Sequence, residues 1–163
     1  MTRWLDEQEQ QAWRAWLAAV QAVQSGLDEQ LQADADMPHA YYEVLVRLSE
    51  APDRTLRMSA LAQVTSSSRS RLSHAVSQLE TRGWVRREPC PTDRRGQLAR
   101  LTPAGLSALE QAAPGHVDAV RALLLDRLSS AQVRQLRRIG EAVAAGAPAG
   151  APSGGATAPA GSR

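Results

Sequence analysis

Residues 56–105 read LRMSALAQVTSSSRSRLSHAVSQLETRGWVRREPCPTDRRGQLARLTPAG, and this stretch decides the fold. Met58–Val64 is a short helical run, Thr65-Ser66-Ser67 a polar turn, and Ser68–Arg82 a second helix. Ser68 suits the N-cap, where a hydroxyl accepts from backbone N–H groups that the helix leaves unpaired. Gly83 stands where a left-handed residue closes a helix. Trp84–Glu88 and Gln97–Leu101 are short strand candidates, joined as a hairpin by the polar turn Pro91–Gly96. Thr102-Pro103, a capping residue and a first-turn proline, opens the next helix.

Helix, turn, helix and hairpin make a winged helix-turn-helix, and its charge says what it meets. Residues 54–103 hold ten Arg against three acids, +7, whereas residues 1–53 hold three Arg and ten acids, −7, and the remainder is +2. The basicity is local, as on a module built to face a polyanion. The chain has no Lys, so every basic residue is Arg, which suits bidentate contacts and narrow grooves. Coding bias in a GC-rich genome explains the same composition and also the abundant Ala, Gly and Pro.

On either side lie helices that need company. From Leu5 to about Ala33, Trp13, Trp16, Leu17, Val20, Val23, Leu27 and Leu31 recur at three-and-four spacing and line one face of a long helix. Pro38 opens a second helix carrying Tyr41, Tyr42, Leu45, Val46 and Leu48, ended by Ala51-Pro52-Asp53. The helix begun at Thr102-Pro103 runs towards Leu128 with a kink at Pro114, where a backbone donor is missing. Ser129-Ser130-Ala131-Gln132 is a capping box for a last helix through Val133, Leu136, Ile139 and Val143. The fold class expected is mainly α with a small β-hairpin wing. Residues 1–145 are expected to form one domain, with 38–102 the winged helix-turn-helix and 5–36 and 103–145 the terminal helices, whose apolar stripes need partners elsewhere in the chain or on a second subunit. Residues 146–163, almost all Ala, Gly, Pro and Ser, are expected to form a disordered tail.

In the second helix of the motif Leu72, Ala75, Val76 and Leu79 share one arc at about 100° per residue and should face the core. Ser70, His74, Ser77 and Thr81 then point away, flanked by Arg71 and Ser73. This small polar face suits a major groove. Arg71 and His74 are the strongest candidates for base edges, while Arg69 and some of the serines, among the DNA-binding candidates Ser68, Ser70, Ser73 and Ser77, are expected to hold phosphates, which sets register rather than sequence preference. At the hairpin tip Asp93 adjoins Arg94 and Arg95; the acid is expected to orient an arginine and stiffen a projection into a minor groove.

Leu61-Ala62, Ser68, Leu79-Glu80, Gly83 and Val85, then Asp93-Arg94-Arg95, Leu101-Thr102 and Gly105, resemble the MarR family of bacterial transcription regulators. The motif covers about a third of the chain, and the flanking helices match the family's layout. The resemblance implies a homodimer with intertwined first and last helices, recognition helices in the major groove, wings in the minor groove, and often a small ligand between the DNA-binding and dimerisation regions. It puts Asp93 and Arg95 at the wing's acid and arginine positions. Two residues depart from the pattern: Ser66 stands where the turn commonly has Gly, and His74 where many relatives carry Arg.

Double-stranded DNA and a second copy of the chain are therefore the expected partners, the chain being expected to act as a repressor that binds a pseudo-palindromic operator and is released from it by a small-molecule effector. Trp13, Trp16, His39, Tyr41, Tyr42 and His116 either line an aromatic ligand cleft or, for the tryptophans and tyrosines, form dimer core; His116 is alternatively a solvated polar residue. A protein-interaction module for acidic partners explains the charge too, but such a helix usually presents aromatic or aliphatic anchors. A ligand-independent DNA binder keeps the wing and dispenses with the cleft. Cys90, the single cysteine, excludes an internal disulfide, fits a reducing cytoplasm, and sits near Arg86 and Arg87, which would lower its pKa. The sequence has no nucleophile elbow, Walker loop or metal-binding helix motif, so neither catalysis, a cofactor nor a metal is expected. No long apolar run suggests a membrane span, and a cytoplasmic location is expected.

Overall fold

The computed structural model describes residues 1–65 and 67–146, with Arg94 described by its backbone alone. The expectations for Ser66 and for the tail at 147–163 lie outside the described residues. Helix α1 (Glu7–Ala35) starts at a capping box: the Asp6 carboxylate accepts from the Glu9 N–H at 2.8 Å, and the Glu9 carboxylate accepts from the Asp6 N–H at 3.0 Å. Then come α2 (His39–Glu50), a 3-10 turn at Pro52–Arg54, β1 (Thr55–Arg57), α3 (Met58–Val64), α4 (Arg69–Thr81), β2 (Val85–Cys90), β3 (Asp93–Leu101) and α5 (Pro103–Leu123). A 3-10 turn at Leu125–Arg127 leads to α6 (Ser130–Gly146). The chain is thus mainly α with a small antiparallel sheet.

The capping residues sit where the sequence places them. Ser68 accepts from the Arg71 N–H, Thr102 from the Gly105 N–H, and Ser129 exchanges bonds with Gln132 at the start of α6. Gly83 has φ +71°, the left-handed conformation its position demands. Gly105 is required for a different reason: a Cβ there would overlap the Trp84 carbonyl, so α5 can start against the link between α4 and β2 only with glycine.

Four features differ from expectation. Strand β1 pairs with β3 (Thr55↔Arg100, Leu56↔Ala99, Arg57↔Leu98), giving the sheet order β1-β3-β2. Its three residues have no alternation of their own, and the edge of β3 makes them a strand. The hairpin is longer than expected, its strands reaching Cys90 and Asp93. Gly146 closes α6 instead of starting the tail, and α5 ends at Leu123, short of Leu128.

Leu31, Met37, Leu45, Leu48, Leu61, Leu72, Leu79 and Leu109 are fully buried, joining α1, α2, α3, α4 and α5 in one core against the sheet. Helices α1 and α5 pack closely because Gly26 and Gly115 lie between them. A Cβ on Gly26 would sit 2.8 Å from a Leu123 methyl, and one on Gly115 would sit 3.0 Å from the Gln30 amide. The apolar stripe of α1 divides here: Leu27 and Leu31 are buried, whereas Trp13, Trp16 and Leu17 are exposed. Among the described residues no helix is long and apolar enough to cross a membrane.

Candidate nucleic-acid interface

Helix α4 presents two faces. Leu72, Ala75, Val76 and Leu79 are buried as their spacing predicts, and Ser68, Arg69, Ser70, Arg71 and His74 are exposed on the other side. Gln78 is exposed beside them, one turn beyond His74. Reading only the centre of the polar arc passes over it, although its spacing of four from His74 places it on that face. A Gln amide can make paired hydrogen bonds to adenine, so it belongs among the candidate base readers.

Ser77 corrects the expectation that it points away. Its hydroxyl donates to the Ser73 carbonyl at 2.9 Å and accepts from Arg87 Nη2 at 2.8 Å. The cause is β2, which runs alongside α4 and places Arg87 against it. Arg87 also donates from its backbone N–H to Glu80 Oε1 at 2.9 Å and from Nε to Glu80 Oε2 at 2.7 Å. Burial pushes the Glu80 carboxyl up, but the hydrogen bonds and charge of Arg87 outweigh this and hold it below its ordinary value. The brace fixes the wing against α4. Ser73 is half-buried between them, and Ser70 stays on the open face.

The wing departs from a regular hairpin at its tip. Pro89 pairs with Gln97 but Cys90 pairs with Asp93, so Arg94, Arg95 and Gly96 form a bulge in β3. Asp93 Oδ1 accepts from the Arg95 backbone N–H at 3.0 Å. The acid therefore shapes the bulge through the main chain, and the Arg95 side chain stays exposed. The Arg94 side chain lies outside the described residues.

Ion pairing divides the arginines into two groups. Arg82 pairs with Asp36, Arg86 and Arg100 with Glu88, and Arg87 with Glu80. Among the described residues of the basic segment Arg54, Arg57, Arg69, Arg71 and Arg95 have no carboxylate within ion-pair distance. Three of these, Arg57, Arg69 and Arg95, line a cleft of about 390 Å³ between α4 and the wing, together with Ser73, Arg87 and Asp93. Three of the unpaired arginines that sequence assigns to a whole segment thus meet at one cleft beside α4.

Cys90 is buried at the base of the wing, with its sulfur 3.4 Å from the Thr92 hydroxyl. Hydrogen bonding to Thr92 lowers its pKa, burial opposes this, and the nearby charge is that of Arg57. Arg86 and Arg87, expected to act on the thiol, are engaged by Glu88 and Glu80 instead.

Comparison with known proteins agrees with this geometry. The family model described as MarR family matches residues 35–96. The crystal structure of Sco3205, a MarR family transcriptional regulator from Streptomyces coelicolor solved in complex with DNA, superposes with a TM-score of 0.85 at 52% identity, covering 90% of this chain and 91% of that one. The chain belongs to the MarR family. AbsC, a MarR family regulator from the same organism, is 40% identical with a TM-score of 0.81 over 88% of this chain and 97% of its own. The multiple antibiotic resistance protein MarR of Salmonella typhimurium is 39% identical over 51 residues, 31% of this chain and 35% of that protein, so the chain spans about a third of this relative's length. MarR proteins are DNA-binding transcriptional regulators with the winged-helix fold seen here.

In this MarR chain the expected aromatic cleft forms only in part. His116 of α5 stacks near Tyr42 of α2, ring centres 4.3 Å apart, and lies 5.8 Å from His39. Asp28 of α1 accepts from the His39 backbone N–H at 2.8 Å, tying the three helices together. His116 is buried, at 6% exposure, and its Nδ1 has no hydrogen-bond partner among the described residues. It is not a solvated polar residue. Burial, with His39 nearby, lowers its pKa to about 4, so the ring is neutral at pH 7. Tyr41 packs against the main core. Trp13 and Trp16 do not join the cluster: at 1.5 Å per residue Trp13 lies about 21 Å along α1 from Leu27, and the two indoles are 53% and 44% exposed.

Proposed function

We propose that the chain is a homodimeric transcriptional repressor that binds a pseudo-palindromic operator and is released by a small ligand. The observation that carries the DNA-binding part is the coincidence of uncompensated Arg57, Arg69, Arg71 and Arg95 with the open face of α4. On this reading Arg71, His74 and Gln78 meet base edges, Ser68, Arg69, Ser70 and Ser73 hold the backbone, and Asp93, Arg94 and Arg95 form the wing contact in a minor groove. Ser77 acts through the wing rather than on DNA.

Dimerisation rests on the helices outside the winged unit, residues 5–36 and 103–145. Helix α6 is amphipathic yet buries none of its residues, with Ile139 and Val143 55% and 65% exposed, and α1 exposes Trp13, Trp16 and Leu17. Covering side chains of this size contributes roughly 1.5–3 kcal/mol each. A second copy supplies the cover and places two recognition helices about one helical turn apart, roughly 10 bp between half-site centres. The effector site assigned here is the His39, Tyr42 and His116 cluster between α1, α2 and α5, whose unpaired Nδ1 gives a ligand hydroxyl or amide a partner.

Selection of bound fragments from genomic DNA, followed by fluorescence anisotropy on the selected site, tests the proposal. Affinity should fall steeply with salt, and Arg95→Ala should weaken binding while reducing preference for narrow, A·T-rich minor grooves. Salt-independent binding, or an Arg95→Ala protein that binds as the wild type does, would refute the wing assignment. Metabolites that release the DNA from wild type but not from Tyr42→Ala would locate the effector.

A further inference from the structure

We propose that Arg57, presented by the edge strand β1, grips the phosphodiester ridge that runs between the major groove taken by α4 and the minor groove taken by the wing. The inference rests on the DNA-binding reading above and adds a contact from outside both the recognition helix and the wing. A duplex engaged by α4 in one groove and by the wing in the next must carry its sugar–phosphate ridge across the space between them. That space is the cleft of about 390 Å³, where Arg57 from β1, Arg69 from α4 and Arg95 from β3 converge from three walls. Asp93 is the acid on its lining, and its Oδ1 is bonded to the Arg95 backbone N–H. Arg87, also at the cleft, is neutralised by Glu80.

Arg57 is held ready for this role. Its Nη2 donates to the Thr92 hydroxyl at 2.8 Å, reaching from β1 to the hairpin turn. This bond restrains a long side chain before DNA arrives, which reduces the ordering cost of the contact. A guanidinium has five N–H donors, so the strut leaves others for the oxygens of a phosphate, in the paired geometry that arginine favours. Register supports the placement: Arg57 pairs with Leu98, which one residue, Gln97, separates from the bulge that carries Arg95.

The test compares full-length wild type, Arg57→Gln and Arg57→Lys on the selected operator and on a scrambled duplex, with affinity measured across salt concentrations. Arg57→Gln should lose about tenfold on both duplexes, and its slope of log affinity against log salt should be shallower by about 0.9, the loss of one phosphate contact. Arg57→Lys keeps the charge and should keep the slope. Neutral methylphosphonates placed singly along the backbone give a second readout. At one position, between the grooves contacted by α4 and the wing, the substitution should weaken wild type and leave Arg57→Gln unaffected. A wild-type slope in Arg57→Gln, or no position at which the two losses mask one another, overturns the proposal. If the cleft instead serves a free anion, replacing chloride by inorganic phosphate at fixed ionic strength should release DNA from wild type and not from Arg57→Gln while the slopes stay equal; that result also overturns it. Wild type that fails to bind duplex DNA defeats the underlying reading instead, which keeps the two failures distinct.

Discussion

Acidification should destabilise this protein through His116, and the size of the effect follows from its surroundings. The ring is buried between α1, α2 and α5 with Tyr42 against one side and His39 close by, and its pKa falls from 6.5 to about 4. In the unfolded chain the imidazole binds a proton as pH drops below 6.5, while the folded protein resists until about pH 4. The unfolded state therefore holds more protons throughout that window, and stability rises with pH within it. At about 1.4 kcal/mol per tenfold change in proton affinity the full difference is roughly 3 kcal/mol, of which roughly 2 kcal/mol is lost between pH 7 and 4.5. His39, whose pKa burial also lowers against the opposing charge of Asp28, acts in the same direction. His116→Leu fills a similar volume and removes the unpaired Nδ1, so at pH 7 it should be near neutral or mildly stabilising. Urea denaturation of both proteins at several pH values, at one protein concentration, isolates the contribution: the wild type should lose roughly 2 kcal/mol more than the variant on going from pH 7 to 4.5. Parallel pH profiles for the two would refute the assignment of a neutral, desolvated imidazole at this position.

Three further outcomes test the packing and the interface. Gly105→Ala should cost roughly 3 kcal/mol in thermal or chemical denaturation, because the added methyl overlaps the Trp84 carbonyl and neither backbone segment can yield cheaply. Trp16→Asp should shift the protein from dimer to monomer in sedimentation equilibrium, while the winged unit, whose core does not include Trp16, keeps its fold. Ser77→Ala should cost roughly 1 kcal/mol of stability, since Arg87 Nη2 loses one of its two acceptors and keeps Glu80, yet leave base preference unchanged; Gln78→Ala should do the reverse, with stability intact and the preferred operator altered in a binding selection.

Local chemistry makes much of the fold legible in the sequence. Ser68, Thr102 and Ser129 each cap the helix that their position predicts, because a cap needs only a short side chain and the N–H groups two or three residues on. Gly83 follows from the left-handed conformation that few other residues tolerate. The buried arc of α4 follows from helical periodicity alone. What failed was wherever one element is defined by another. β1 is a strand because β3 has a free edge, and three residues carry no period of their own. Ser77 points to the wing because Arg87, ten residues later, draws it there.

The sequence by itself determined the order of elements, the winged helix-turn-helix and the segment in which positive charge accumulates, since these depend on spacing, caps and composition along the chain. Tertiary structure alone decided which arginines are committed to Asp36, Glu80 and Glu88 and which are left to face a polyanion. It also brought His39, Tyr42 and His116 together while leaving Trp13 and Trp16 outside. The reason is physical: ion pairs and ring contacts act over a few ångströms between residues that are distant in the chain, and only the packing of α1, α2 and α5 and the pairing of β1, β3 and β2 bring them within that range.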